Sequence, residues 1–598
     1  MRLLLCLFAA VAACAQDGGA IYAERCAQCH DKGLGRAPLR DAMKQMSPRS
    51  VLRTLARGKM MAQAKGLSDA EIRAVSVFVT GKTFESVEVP THGFCTEPNA
   101  FDRPFAGPYW NGWGVGPMNH RSQPEAMAGL TADQVPRLKL KWAFGFPDVI
   151  RAFAQPTVAG GRIFLGSDTG RVYSLDAATG CIYWVFEADA GVRSAISIGP
   201  AGDRWAAYFG DGSAHVYAVD AATGKLSWKT RVEEFPAAMI TDAPALHEGR
   251  LYVGVSSLEE VTGAAPDYEC CKFRGSLTAL DAATGKQIWK SYTIAEEPRP
   301  VRKNKNGVQL WGPSGAGIWS SPTLDLAKHA IYVTTGDAYS GPAARTSDAF
   351  LAFDMNNGKM LWSRQMTAGD AFNLACWEPD KINCPEGNGP DFDFGSSPIL
   401  VDLAKGKRAL IAGQKSGMVH AIDPDQQGEV LWQVRVGEGG AFGGVQWGSA
   451  VDDQNVYVAL SDVRFTLTDL LDPKAGGGLF ALRLATGGRA WYAPPPGCGE
   501  KRGCSPAQSA AVTLIPGVVF SGSLDGHLRA YSTRDGRIVW DVDTAREFET
   551  VDGVKANGGA IDGPGPVVVG GVLYVNSGYG IFGGMPGNVL LAYSVDGR

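Results

Sequence analysis

From about residue 104 to the C-terminus, apolar and polar positions alternate in short runs, each broken by a turn rich in aspartate and glycine. A period of two over four to eight residues marks a half-buried strand, and the turns join such strands into hairpins. One unit recurs: an alternating strand, an Asp-x-x-x-Gly type turn, and a second strand carrying tryptophan. It runs from Val172 through Asp176 and Gly180 to Trp184, then from Asp220 to Trp228 and from Asp281 to Trp289. Weaker copies run Asp354 to Trp362, Asp423 to Trp432, Leu484 to Trp491 and Ser532 to Trp540. An eighth copy is split: Asn588 to Gly597 supplies its strand and turn, and Leu138 to Trp142 supplies its tryptophan strand. A repeat divided between two distant stretches predicts a ring closed by pairing them, here an all-β propeller of eight four-stranded blades over residues 104–598. Closure also removes the exposed edges of an open array. The widest interval between repeat tryptophans, Trp289 to Trp362, must contain long loops, and loops on a rigid scaffold commonly carry function.

The N-terminal stretch follows other rules. Met1-Arg2 and the apolar run Leu3 to Ala13, ending at Ala13-Cys14-Ala15, read as an export signal over residues 1–15, too short to span a bilayer. Val11-Ala12-Ala13-Cys14 also fits a lipoprotein box, so lipidation at Cys14 is the alternative. Cys26-Ala27-Gln28-Cys29-His30 has the C-x-x-C-H spacing of c-type haem attachment: the two thiols bond the vinyl groups and His30 is the proximal iron ligand. An amphipathic stretch from Leu67 to Val79 predicts a helix capped by Ser68 or Asp69, and small cytochromes c end in such a helix. The sixth ligand is expected to be a methionine between these features, where Met43, Met46, Met60 and Met61 stand. Gly58-Lys59-Met60-Met61 sits where cytochromes c of this size carry theirs, favouring Met60 with Met61 as the alternative. An all-α cytochrome c domain is therefore expected over 17–82, then a linker over 83–103 flanked by Pro90, Pro98 and Pro104.

Composition narrows the partners. Of 598 residues 45% are apolar and 20% charged, and the 76 glycines far exceed an average share of about 7%. A net charge of -4 supplies no basic field, which argues against a nucleic-acid partner. Export permits disulfides, and ten cysteines remain beyond the signal, an even number.

The turn-plus-tryptophan repeat resembles that of the pyrroloquinoline quinone dehydrogenases. Trp110-Asn111-Gly112-Trp113-Gly114, Lys141 to Pro147, Trp311 to Ala316 and Tyr574 to Gly580 sharpen the resemblance to the polyvinyl alcohol dehydrogenase type, whose cytochrome is N-terminal. The resemblance implies a quinone stacked on Trp319 and a calcium ion bound near Thr335-Gly336-Asp337, with Asp337 in place of the usual asparagine and Glu259 or Glu260 as the companion ligand. Arg193 and Lys415 match cationic contacts to the quinone, Thr241 a hydroxyl contact, and Gln446-Trp447 a polar and aromatic pair at its ring. Where the family's catalytic aspartate follows an aromatic, the chain reads Phe372-Asn373, and asparagine takes no proton. Asp370, three residues earlier, or another carboxylate would then act as base. Ala375 lacks the extra aspartate of lanthanide-using relatives, which favours calcium.

Quinoproteins cover their cofactor with a vicinal disulfide, and Cys270-Cys271 are adjacent, although in a later loop than in methanol dehydrogenases; two bridges to separate partners are the alternative. Cys376 with Cys384 and Cys498 with Cys504 are short-range pairs, leaving Cys95 for Cys181. The function implied is oxidation of secondary alcohols, diols or a polyvinyl alcohol-like polymer, with electrons leaving through haem c to an external cytochrome. A propeller assembly scaffold fused to an electron-carrier cytochrome is the competing reading, and a scaffold has no need of Trp319, Asp337, Lys415 or Cys270-Cys271.

Overall fold

The computed structural model describes residues 17–32, 37–57, 60, 63–84, 92–97, 100–465, 471–498 and 504–598. The export signal and its alternative lipidated Cys14 lie outside the described residues, as does Met61. Among the described residues no helix is long and apolar enough to cross a membrane.

Eight antiparallel sheets follow one another around a ring, seven of four strands and the third of five, where Ala238–Met239 also pairs with Arg250–Ser257. The first blade is Thr157–Ala159, Arg162–Gly166, Arg171–Asp176 and Ile182–Glu187, and the seventh ends with Ile538–Asp543. The eighth joins Val567–Val569, Val572–Ser577 and Val589–Val595 to Leu138–Gly145, with Leu138 opposite Val595 and Gly145 opposite Val589. The ring is thus closed by the split repeat, as its sequence requires.

The conserved look of the repeat within this one chain has a packing cause. Each turn aspartate accepts hydrogen bonds from its own turn, as Asp176 does from the Ala178 and Thr179 amides at 3.0 and 2.9 Å. The turn glycine lies under the tryptophan of the preceding blade. A Cβ at Gly180, where φ is +78°, would come within 2.9 Å of Trp142. The indole then reaches onward: Trp184 Nε1 donates to Ala221 O at 3.0 Å and Trp228 Nε1 to Ala282 O at 3.0 Å. Tryptophan and glycine are therefore two halves of one interblade contact.

Residues 110–123 pass around the inside of the ring and hydrogen-bond the innermost strands of seven blades. Their partners include Val158, Ile198, Leu324, Leu400, Val451, Leu514 and Val568. Arg121, fully buried, donates to Val512 O, Trp113 O, Gln155 Oε1, Thr513 Oγ1 and Pro564 O. With no carboxylate beside it, burial lowers its guanidinium to about 9.

In an up-and-down blade the connection between the two middle strands and the connection to the next blade emerge at the same end. Both site-bearing loop sets therefore share one face.

The helices are Gly18–Arg25, Ala27–His30, Arg40–Met43, Pro48–Arg57 and Asp69–Thr80 before the propeller. Ser68, rather than Asp69, caps the last of these through a reciprocal box with Glu71. Gly18 seats the first helix on Ala74 of the last, where a Cβ would lie 2.2 Å from Ala74 O. This helical unit meets the loop face of the propeller through Lys82 and Asp148, 3.0 Å apart, and through a Lys65–Asp267 ion pair.

Four disulfides form: Cys95–Cys181, Cys270–Cys271, Cys376–Cys384 and Cys498–Cys504. The first ties the strand-like Gly93-Phe94-Cys95 segment to Ile182 in blade one. Cys26 and Cys29 take part in no disulfide.

Candidate cofactor and active site

In the helical unit, His30 is 7% exposed and its Nδ1 lies 2.8 Å from the Pro38 carbonyl. A proton on Nδ1 fixes the tautomer whose lone pair is on Nε2, the form an axial iron ligand requires. Cys26 and Cys29 stand on the turn immediately before it, and Met60 packs against the same apolar cluster as Tyr22 and Leu55.

On the propeller, Arg193, Thr241, Trp319, Asp370, Asn373, Gln446 and Trp447 lie on connections between blades, and Glu259, Glu260, Cys270, Cys271, Asp337 and Lys415 on mid-blade connections. All occupy the shared loop face. They gather into two adjoining groups.

The first centres on Asp337. The Gly336 amide bonds Gly317 O at 2.9 Å and the Ala316 amide bonds Asp337 O at 2.7 Å, so the Trp319 loop and the Asp337 loop are laced together. A Cβ at Gly336 would fall 2.3 Å from Asp393 Oδ1 and 2.7 Å from Trp319 Nε1, so only glycine permits this approach. Asp337 is fully buried and neither carboxylate oxygen has a hydrogen-bond partner, while Trp319 Nε1 is also buried and unpartnered. Burial, then the negative charges of Asp393 and Glu260, push the Asp337 carboxyl far above its ordinary range. Unsatisfied buried carboxylate oxygens are costly, and a bound cation removes that cost.

Asp337, Asp391 and Asp393 each offer an oxygen within 4.8 Å of the others. Lys415 Nζ bridges the latter two, 2.8 Å from Asp391 Oδ1 and 2.6 Å from Asp393 Oδ2. Burial would raise Asp393, but the Lys415 ammonium and the Asp337 amide, 2.6 Å away, hold it below the usual carboxylate range. Burial also lowers Lys415, and the two aspartates more than reverse it, raising the ammonium well above its ordinary value.

The two glutamates separate. Glu259 is buried and fully engaged, accepting from the Lys272 and Phe273 amides and the Tyr268 hydroxyl. It braces the loop that carries Cys270–Cys271. Glu260 faces the acidic group, its carboxyl raised to about 7 by burial and by Asp393.

The expected base positions look different in three dimensions. Asn373 is fully buried and its amide is spent on structure: Nδ2 donates to Tyr339 O and Asn383 O, and Oδ1 accepts from the Ala375 amide. Its only approach to the disulfide is Nδ2 to Cys270 Sγ at 3.7 Å. Asp370 accepts the Asp391 and Phe392 amides at 3.2 and 2.8 Å, so it holds the segment bearing Asp391 and Asp393 in place. Neither aspartate of that segment was singled out in the sequence, although Phe392-Asp393 has the same aromatic-then-acid order sought at Phe372-Asn373.

The second group surrounds Arg193. Its guanidinium lies 4.6 Å from the Trp447 ring centre, its Nε has no partner, and burial lowers it. Trp447 Nε1 donates to Asp562 Oδ1 at 2.6 Å. Thr241 Oγ1 donates to Trp319 O at 2.9 Å, and Gln446 Nε2 to Gly443 O. Next to Thr241, Asp242 is buried with Oδ1 unpartnered, and burial raises it to about 8 against the opposing pull of the Gly254 amide and Arg193. In an unfolded chain this carboxyl ionises near pH ~4. The folded state therefore keeps a proton the unfolded state has lost, and the stability tied to it is present at low pH and drains as pH rises towards 8. Asp242→Asn is expected to flatten the pH profile of urea unfolding between pH 5 and 8, gaining up to about 1.4 kcal/mol per pH unit on the parent. Parallel profiles would show that Asp242 does not hold that proton.

Comparison with known proteins gives the family. The family model described as glucose/ethanol/alcohol dehydrogenase, beta-propeller domain matches residues 110–438, and that of cytochrome C oxidase, cbb3-type, subunit III matches residues 13–79. The chain is 43% identical to a polyvinylalcohol dehydrogenase of Pseudomonas sp., over 97% of this chain and 94% of the relative. It is 40% identical to one from Sphingopyxis sp. (strain 113P3), over 97% and 93%. The solved quinohemoprotein alcohol dehydrogenase ADHIIG of Pseudomonas putida shares the fold at a TM-score of 0.62 and 18% identity, covering 82% of this chain and 80% of that one. The chain belongs to the polyvinyl alcohol dehydrogenases, a pyrroloquinoline quinone-dependent alcohol dehydrogenase family bearing a cytochrome c domain.

Proposed function

We propose that the chain is an exported enzyme that oxidises secondary alcohols carried on diols or on a polyvinyl alcohol-like polymer, passing electrons through haem c to an external cytochrome. The observation that carries this reading is the buried Asp337 carboxylate, whose two unpartnered oxygens lie among the carboxylates of Asp391, Asp393 and Glu260, next to the loop of Trp319 and the Lys415-bridged aspartates. Hard oxygen donors of this kind suit calcium. Asp337 and Glu260 would hold the ion together with the Asp391–Asp393 segment, and Glu259 would not. Trp319 offers a planar apolar face to a quinone, Arg193 and Lys415 offer charge to its acidic and carbonyl groups, and Thr241, Gln446 and Trp447 border it. The Cys270–Cys271 pair would close the site from the other side. When bound, pyrroloquinoline quinone accepts two electrons as hydride and haem c, held by Cys26, Cys29, His30 and Met60, carries them singly.

The chain's own groups would handle the proton. Asp393, kept ionised by Lys415, takes the hydroxyl proton, while Asp370 fixes the backbone that presents it and Asn373 buttresses the disulfide loop. A base anchored between a lysine and a backbone amide is positioned rigidly, which is where general-base catalysis gains its rate.

Substrate class is tested by kcat/KM for methanol, 2-propanol and 2,4-pentanediol with the holoenzyme. The two secondary alcohols are expected to exceed methanol by about tenfold or more, the worth of roughly 1.4 kcal/mol in transition-state binding. A preference for methanol would remove the secondary-alcohol assignment.

A further inference from the structure

An aromatic ridge leads from the active site to solvent. It is assembled from four loops distant in sequence, those bearing Trp377, Phe442, Phe465 and Phe582. Ring centres of Trp377 and Phe442 are 5.6 Å apart, Phe442 and Phe582 5.0 Å, and Phe442 and Phe465 5.8 Å. Trp377 is 48% exposed and Phe582 44%. Isolated exposed aromatics are ordinary, but a contiguous row on loops at a site mouth marks a binding surface.

Both inner ends of the row reach the site. Phe372, buried, lies 5.0 Å from Trp377, and its amide donates to the carbonyl of Ala338, the neighbour of Asp337, at 2.7 Å. Phe465 packs with Trp447 on the apolar group of Phe153, Leu471 and Ile581. The haem unit's ion pairs fall at Asp148, between blades eight and one, and at Asp267 in blade three. Trp377, Phe442 and Phe465 rise from the loops of blades four to six, and Phe582 from the blade-eight loop that Gly580 ties to Ile150.

We propose that this ridge is a subsite for the length of a polymeric 1,3-polyol that extends beyond the carbinol being oxidised. Aromatic faces suit the C–H rows of such a chain while its hydroxyls stay in water. The two relatives described above that match nearly the whole chain are both named for a polymer of this chemistry. A small alcohol seated at Asp393 is too short to lie across these rings as well. The proposal rests on the alcohol dehydrogenase reading but concerns residues outside its catalytic groups.

The test is the Trp377→Ala, Phe582→Ala double variant of the holoenzyme, with Trp377→Phe, Phe582→Tyr as the conservative control. Polyvinyl alcohol kcat/KM is expected to fall about tenfold through KM, consistent with two aromatic contacts. Turnover of 2,4-pentanediol is expected to stay within about twofold, and the control to restore the polymer rate. In parallel, polyvinyl alcohol is titrated against parent and variant by isothermal calorimetry, which needs no turnover; the parent is expected to bind and the double variant to bind about tenfold more weakly. Equal loss on both substrates, or unchanged polymer binding, overturns the subsite. A parent that binds polymer but oxidises no alcohol sinks the catalytic reading and leaves the ridge standing.

Discussion

Asp393→Asn is expected to lower kcat for 2,4-pentanediol by about 10³-fold, within the range that general-base catalysis contributes. Asparagine keeps an oxygen that can accept the Asp337 amide, so the backbone arrangement survives while the proton acceptor is lost. Haem content should stay close to the parent, while the melting temperature falls with the loss of the buried Lys415–Asp393 pair. Asp370→Asn is expected to cost less than about tenfold, because its two bonds are to backbone amides and an amide oxygen can still accept one of them. The comparison is decisive because both residues are buried and acidic. An Asp370→Asn variant that loses as much as Asp393→Asn would return the base to Asp370, and an active Asp393→Asn enzyme would remove Asp393.

Replacing Cys26 and Cys29 with serine is expected to abolish covalent haem completely and, with it, electron delivery to an external cytochrome. The His30 ring remains oriented by Pro38, so residual haem, if any, should be extractable into acid acetone rather than retained by the protein. Because haem attachment and the quinone site lie in separate units, the propeller should still bind quinone with unchanged stoichiometry. Covalent haem in the doubly substituted protein would contradict the attachment site.

The propeller was legible because its period is written in residues that pack on one another. Asp176, Gly180 and Trp184 recur since each blade must present a turn to the previous tryptophan and a tryptophan to the next turn. The C-x-x-C-H spacing was equally plain, and all four disulfides follow the pairing expected. The proton acceptor was harder. The connection between blades four and five holds two aromatic-led positions, Phe372-Asn373 and Phe392-Asp393, separated by an excursion that Cys376–Cys384 staples shut. The first of these stands where the family's aspartate is expected along the chain, and the second lies twenty residues on. Only the hydrogen bonds show that Asn373 is spent on structure and that Asp370 serves the Asp391–Asp393 segment. Glu259 and Glu260 were inseparable for a related reason: successive residues on the short helix Glu259–Thr262 point in directions about 100° apart, and one finds backbone amides while the other finds the acidic group. The aromatic ridge left no mark in the sequence, since its members come from four separate loops.

The most direct test of the account is the haem absorbance of the purified chain, loaded with pyrroloquinoline quinone and calcium, on adding 2,4-pentanediol. The account predicts that the oxidised haem spectrum converts to the reduced form, that omitting either the quinone or calcium prevents this, and that Asp337→Ala prevents it even with both supplied. A haem that stays oxidised with every component present, or one reduced by alcohol equally well without quinone, would contradict it.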